Sequence, residues 1–348
     1  MTLFDQMGLR LPIIQAPMAG VSTPKMAAAV SNAGALGSIG VGATNAAGAA
    51  GMIDDVRRLT DAAFNVNVFV HNAPCRDADR EASWLTAMGP LFEEFAVAPP
   101  SSLTTIYRSF ADDDDMLRVL IERAPPVVSF HFGLPEEAKV TALRQAGCVL
   151  IATATSPGEA LAAKKAGMDA VVAQGFEAGG HRGVFDAAGD DAQLGTLALT
   201  RLLVAKAGLP VIAAGGIMDG QGVRAVLDLG ATAAQLGTAF IACPESAADD
   251  AYRAALQSDA AHYTTMTNAI SGRPARCLRN RFTIWAESAI EVTPDYPVAY
   301  DAGKAVNAAA KKMGEGGFGA QWAGQGAPLS RCMGAAELVQ TLERELIG

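Results

Sequence analysis

The stretch PGEALAAKKAGMDAVVAQGFEAGGHRG, residues 157–183, decides how the rest of the chain is read. Ser156 sets a capping hydroxyl ahead of Pro157, and proline suits a first helical turn because the N–H it lacks would be unpaired there anyway. Helical spacing continues to Ala166, where Gly167 supplies the left-handed residue that ends a helix. Ala170 to Gln174 is a short apolar run of strand character, and beyond it the chain opens into glycines, Glu177, His181 and Arg182. Helix, glycine stop, buried strand and polar loop together make one unit of an alternating parallel fold.

The same unit recurs on both sides. Strands are expected at Ile13 to Met18, Ala35 to Val41, Asn65 to Val70, Val127 to Phe132, Val149 to Ala154, Ala170 to Gln174, Val211 to Ala214 and Ala234 to Leu236. Helices are expected at Pro24 to Asn32, Pro135 to Gln145, Pro157 to Ala166 and Asp219 to Leu229. Ala33-Gly34, Ala146-Gly147, Ala166-Gly167 and Leu229-Gly230 repeat the same stop before the next strand. Eight such units in series favour an α/β fold of the (β/α)8 TIM barrel type over an open doubly wound sheet.

Two segments break the rhythm. Residues 74–112 carry Trp84, Phe92, Phe95 and the turn-rich Ala98-Pro-Pro-Ser-Ser102; residues 262–312 carry Tyr263, Phe282, Trp285, Tyr296 and Tyr300. Each would leave apolar side chains uncovered alone, so the two are expected to pack together as a smaller cap or substrate domain. The barrel then comprises 1–73, 113–261 and 313–348.

Composition agrees with this architecture. The chain has 348 residues, half of them hydrophobic, enough for a large core. Its net charge of −9 offers no basic footprint for nucleic acid or an anionic membrane surface. The five cysteines are scattered, odd in number and free of C-x-x-C pairs, which suits a reducing cytoplasm. Met1 to Asp5 leads to Pro12 without a basic leader and apolar run of signal length, and no apolar run is long enough to span a membrane. The four acids Asp112 to Asp115 suit a solvated helix N-terminus, and with no H-E-x-x-H or EF-hand spacing no metal is expected.

In a barrel, the loops after the C-terminal ends of strands build the active face. Ala16-Pro17-Met18 there forms a tight apolar turn, and Asn67, His131 and Gln174 stand at other strand ends. Gly215-Gly216 and Gly237-Thr238 follow the seventh and eighth strands, where barrels commonly cradle a phosphate, with Gln235 just before. His181, after Gly179-Gly180 in a long polar loop, is the candidate acid, base or donor, and His131 could face it. Taken alone, each histidine is more often an exposed or hydrogen-bonded structural residue than a catalytic one. A Rossmann G-x-G-x-x-G, a P-loop, a G-x-S-x-G elbow and a pair of inward acids are all missing, which weakens NAD-domain, nucleotide hydrolase, esterase and glycosidase readings.

Gln15-Ala-Pro-Met18, Asn65-Val-Asn67, Gln174-Gly-Phe-Glu-Ala-Gly-Gly-His181, Ala214-Gly-Gly-Ile217 and Gln235-Leu-Gly-Thr238 resemble the nitronate monooxygenase family, bacterial class I, formerly 2-nitropropane dioxygenase. The resemblance implies an FMN-dependent barrel that oxidises alkyl nitronates with O2 to a carbonyl compound and nitrite. It implies FMN contacts at Ala16, Pro17, Met18, Asn67, Gln174, Gly179, Gly180, Gly215, Gly216, Gln235, Gly237 and Thr238. His181 matches the family's active-site histidine, and His131, Tyr296, Tyr300 and Lys304 fall on the substrate side. A homodimer is compatible with it. The FMN-type enoyl-acyl-carrier-protein reductase and an NADH:quinone reductase share the A-P-M and E-A-G-G-H blocks; Arg182-Gly183 and the later Tyr/Lys segment favour nitronate oxidation. A non-catalytic flavin- or phosphate-binding barrel is the reading outside enzymes.

Overall fold

The computed structural model describes residues 7–289 and 292–348, so the N-terminal Met1 to Asp5 lies outside the described residues. Eight parallel strands form the central sheet: β1 (Ile13–Gln15), β2 (Gly37–Gly40), β3 (Phe64–Phe69), β4 (Val127–His131), β5 (Val149–Ala154), β6 (Ala170–Gln174), β8 (Val211–Ala214) and β9 (Ala233–Leu236). The short pair β7 (Gly180–His181) belongs to a second sheet.

Hydrogen bonding runs in the order β1-β9-β8-β6-β5-β4-β3-β2. The two ends meet in a parallel bridge between Ile14 and Leu36, where Gln15 N–H donates to Leu36 O at 2.9 Å and Leu36 N–H to Ile13 O at 3.0 Å. The cylinder is a (β/α)8 barrel. All eight expected strands are there: β5, β6 and β8 keep the expected bounds, β1, β2 and β4 are shorter, and β3 and β9 each start one residue earlier. β1 stops at Gln15 because Pro17 has no N–H to extend a ladder.

The helix boundaries follow the capping chemistry. Thr23 accepts from Met26 N–H before Pro24–Asn32, Ser156 from Glu159 N–H before Pro157–Lys165, and Asp219 from Gly222 N–H before Gly220–Asp228. The glycine stops carry the positive φ that the position demands, 95° at Gly34, 88° at Gly147, 85° at Gly167 and 97° at Gly230.

Strand periodicity decides what reaches the mouth. Val66, Val128, Phe130, Val171 and Ala173 point outward into the layer shared with the helices, so their neighbours Asn67, Ser129, His131, Val172 and Gln174 point inward. Below them Ile14, Leu36, Val127, Ile151 and Ile212 fill the barrel as an apolar plug, with Val172 joining the plug to the cavity floor. Asn65 and Ser38, inward lower in β3 and β2, are buried and hydrogen-bond to each other at 3.2 Å, whereas Asn67, Ser129, His131 and Gln174 at the C-terminal ends line the mouth.

The two interrupting segments share one apolar cluster. Trp84, Met88 and Phe92 of the helix Ala78–Glu94 pack with Ile270, Phe282 and with Val298 and Val306 of the helix Val298–Lys312, and Phe318 joins them. A three-stranded antiparallel sheet lies beside this cluster, with β10 (Thr264–Thr267), β11 (Ala275–Leu278) and β7 in that order. Expected from sequence to sit in a long polar loop, His181 is instead a strand residue in register with Ala275, and Gly180 pairs with Arg276. The partner strand lies some ninety positions away, and local pattern cannot reveal it. Among the described residues no helix is long and apolar enough to cross a membrane.

Candidate active site

A cavity of about 630 Å³ opens at the C-terminal ends of the strands. Ala16, Pro17, Met18, Asn67, Gln174, Gly179, Gly180, Gly215, Gly216, Gln235, Gly237 and Thr238 line it, and so do His131, His181, Tyr296, Tyr300 and Lys304. The positions singled out from sequence thus converge on one space.

Three of them are committed to protein partners. Gln174 donates from Nε2 to His181 O at 3.0 Å and accepts from Gly183 N–H at Oε1 at 2.7 Å, so its amide staples the strand that carries His181. His131 stands against the same carbonyl: a carbonyl only accepts, so Nε2 carries the proton and donates to His181 O at 3.1 Å, and Nδ1 accepts from Thr153 Oγ1 at 3.0 Å. Asn67 donates from Nδ2 to Ser129 O at 3.1 Å and to Ser129 Oγ at 3.0 Å, which leaves its carbonyl oxygen as acceptor.

His181 sits in an aromatic box. Its ring centroid lies 5.0 Å from Trp322, 5.4 Å from Tyr296, 5.5 Å from Phe132 and 6.2 Å from Tyr300. Nε2 meets Ser271 Oγ at 2.8 Å. Burial, reinforced by the charges of His131, Arg273 and His71, drives its pKa down to about 3; His131 falls to about 4, again chiefly from burial. Both imidazoles are neutral at pH 7. Burial also raises the Tyr296 and Tyr300 phenols, which stay protonated donors, and the Tyr296 hydroxyl is buried without a partner among the described residues. An unmatched buried donor beside an open space is what a ligand oxygen would satisfy.

The opposite wall is built for close main-chain approach. Gly215 and Gly216 hold φ of 122° and 71°, conformations open to glycine and costly for other residues. The short helix Thr238–Ile241 follows Gly237 directly and has no side-chain cap. Loops after the last two barrel strands together with the start of a short extra helix are the usual barrel phosphate site, and these glycines permit the close main-chain approach that a phosphate needs.

Some contributors escaped the sequence reading. Tyr107 edges onto Tyr300 at 5.9 Å, with Lys304 Nζ 4.9 Å from the Tyr107 ring centre. Trp322 and Gly324 come from a loop pressed against the glycines: a Cβ on Gly179 would lie 2.5 Å from Gly324 N. Ser271 and Arg273 lie in the turn before β11, and the Arg273 guanidinium stacks 4.3 Å from the Phe132 ring centre. Only the cluster of aromatics in residues 98–112 and 313–326 could have hinted at any of them.

A family model described as nitronate monooxygenase matches residues 2–345. The chain is 57% identical over 345 residues to a nitronate monooxygenase of Paraburkholderia phytofirmans, covering 99% of this chain and 94% of the relative. It is 54% identical over 343 residues to one of Pseudomonas aeruginosa, covering 98% of each. In structure it resembles a nitroalkane oxidase from Streptomyces ansochromogenes, with a TM-score of 0.89 and 39% identity over 99% of this chain and 98% of that one. FabK from Thermotoga maritima follows less closely, with a TM-score of 0.74 and 28% identity over 99% and 95%. With its barrel, its aromatic-boxed histidine and these relatives, the chain belongs to the nitronate monooxygenase family, enzymes of flavin chemistry that oxidise nitronates.

Proposed function

We propose that the chain is an FMN-dependent oxidoreductase that converts alkyl nitronates and O2 to a carbonyl compound and nitrite in the cytoplasm. The observation that carries the reading is the meeting, in one cavity, of a glycine-walled cradle with a neutral imidazole and an unpaired tyrosine hydroxyl. FMN, when bound, would supply the electron-accepting ring and the route of electrons to O2.

Gly215, Gly216, Gly237 and Thr238 would hold its phosphate, with Ala16, Pro17 and Met18 beneath the ring and Asn67 offering its free carbonyl oxygen. The protein's own part is to bind, orient and exclude water. Tyr296, as donor, would grip a nitronate oxygen, and Tyr300 and Lys304 complete the substrate side. His181 is the group we assign to the reacting atoms. His131 and Gln174 act through it, by clamping its carbonyl. The two interrupting segments serve as a substrate domain closing the mouth.

The experiment is anaerobic mixing of the FMN-loaded protein with a nitronate and, separately, with NADH. Bleaching of the flavin by the nitronate alone is expected. Bleaching by NADH alone would transfer the chain to a reductase reading, which the likeness to FabK keeps in view. A His181→Asn variant with full nitronate turnover would remove that residue from the chemistry.

A further inference from the structure

Ser271 has no assigned part in this site, yet it holds the one polar bond made by the imidazole of His181 among the described residues. Its side chain is fully buried, at 0% exposure, and its Oγ lies 2.8 Å from His181 Nε2. The hydroxyl has a single proton, and the carbonyl of Arg273, 3.3 Å away, is an acceptor that can take it. Arg273 N–H donates to one lone pair of Ser271 Oγ at 3.4 Å, which leaves the other for the histidine.

We infer that Ser271 is a positioning residue that fixes the tautomer of His181, so that Nε2–H donates to Ser271 and the bare lone pair of Nδ1 is presented to the cavity. The inference rests on the reading that His181 meets the substrate. Nδ1 has no hydrogen bond among the described residues, and the His181 ring that carries it lines the cavity. The imidazole presents an acceptor there, and the donor to a substrate oxygen is the unpaired hydroxyl of Tyr296. This separates two roles, base and donor, that the residue type alone leaves open.

The turn carrying Ser271 is rigidly seated. Gly272 has φ of 91°, and a Cβ there would lie 2.4 Å from Pro294 O and 2.5 Å from Tyr296 N, so the main chain of Tyr296 packs directly on it. Gly272 N–H donates to Asn268 O at 2.7 Å. On the other side Arg273 stacks on Phe132, itself edge-on to His181, and donates to Val184 O. One three-residue turn thereby sets the histidine's proton and the tyrosine's main chain together.

The chain has four histidines, so nitrogen NMR of the FMN-loaded protein can assign the protonated and bare nitrogens of each, with His181→Asn identifying the resonances. The wild-type protein should show His181 protonated at Nε2 and bare at Nδ1. Ser271→Ala should give a mixture of tautomers with unchanged signals from the other three, and about a tenfold loss of kcat/KM on a nitronate at unchanged flavin content. Ser271→Thr should restore the wild-type pattern, and it stands in if the alanine variant does not fold. A wild-type His181 protonated at Nδ1, a Ser271→Ala pattern identical to wild type, a Ser271→Thr mixture, or unchanged turnover would each overturn the inference. The tautomer is read without substrate, so failure of nitronate oxidation itself appears separately, in the wild-type turnover.

Discussion

Gly237 separates the fold from the cofactor cradle. Its φ of −105° is open to any L-residue. A Cβ there would lie 3.5 Å from Ala16 Cβ and 3.8 Å from Met18 Sδ, ordinary contact distances, so Gly237→Ala costs the protein no rearrangement. Less freedom in the unfolded chain should even raise the stability of the flavin-free protein by about 0.4–1 kcal/mol. The added methyl nonetheless stands in the cradle that we assign to the phosphate. Overpacking of that kind costs about 1–3 kcal/mol, which corresponds to roughly a 5- to 150-fold weaker FMN complex. The assay titrates flavin-free protein with FMN and with riboflavin, following quenching of flavin fluorescence, alongside thermal melting of the same samples. FMN affinity should fall within that range, riboflavin affinity should hold, and the melting temperature should not drop. Equal losses for FMN and riboflavin would place the phosphate elsewhere, and an unchanged FMN affinity would dismiss the cradle.

Three further outcomes are expected. His131 and His181, held mainly by burial at about 4 and about 3 against the ordinary 6.5, refuse protons that the unfolded chain accepts; stability is therefore complete above about pH 6.5 and falls by about 2 kcal/mol per histidine between pH 7 and 5. Urea midpoints that stay level over that interval would contradict the buried, neutral pair. Gly179→Ala drives a Cβ to 2.5 Å from Gly324 N and 2.6 Å from Ala323 C, main-chain atoms that cannot swing aside, and should lose about 1–3 kcal/mol together with flavin content; a melting curve matching wild type would show the loop to be looser than its packing implies. Tyr296→Phe removes a hydroxyl that has no protein partner, so melting should not be lowered, and KM for a nitronate should rise about tenfold or more through loss of a hydrogen bond to a charged ligand; an unchanged KM would mean the hydroxyl points at nothing that matters.

The barrel was legible because each of its units announces itself locally. Apolar runs of strand length, capped starts such as Ser156-Pro157 and glycine stops such as Ala166-Gly167 need no knowledge of distant residues. The mouth was legible for a related reason: once Val171 and Ala173 are taken as outward, Gln174 must face inward, and the same parity turns Asn67 and His131 toward the cavity. What each inward residue does was another matter. Gln174 looks like a ligand-facing amide in sequence, and its hydrogen bonds go to His181 O and Gly183 N–H. Ser271, Arg273 and Trp322 carry no periodic signal at all. They reach the site because β11 pairs with β7 and because Gly179 admits the main chain of Gly324, contacts that join segments far apart in the chain.

The charge distribution gives the neutral histidines their purpose. The chain as a whole carries a net charge of −9, but no Asp or Glu lines the cavity among the described residues. Lys304 stands in the lining, and Arg273 lies behind Phe132 without an ion-pair partner among the described residues, its own pKa pulled down to about 10 by burial. This electropositive setting discourages any proton on His181 while the site is free of anions, so its lone pair is kept. A nitronate entering the box reverses the sign of the nearest charge and favours a protonated imidazole in its place. Substrate binding and proton affinity at His181 are therefore linked: a proton on the imidazole strengthens the hold on an anion, and without an anion it is taken up only at a pH where the fold itself is already losing the stability that the buried pair supplies.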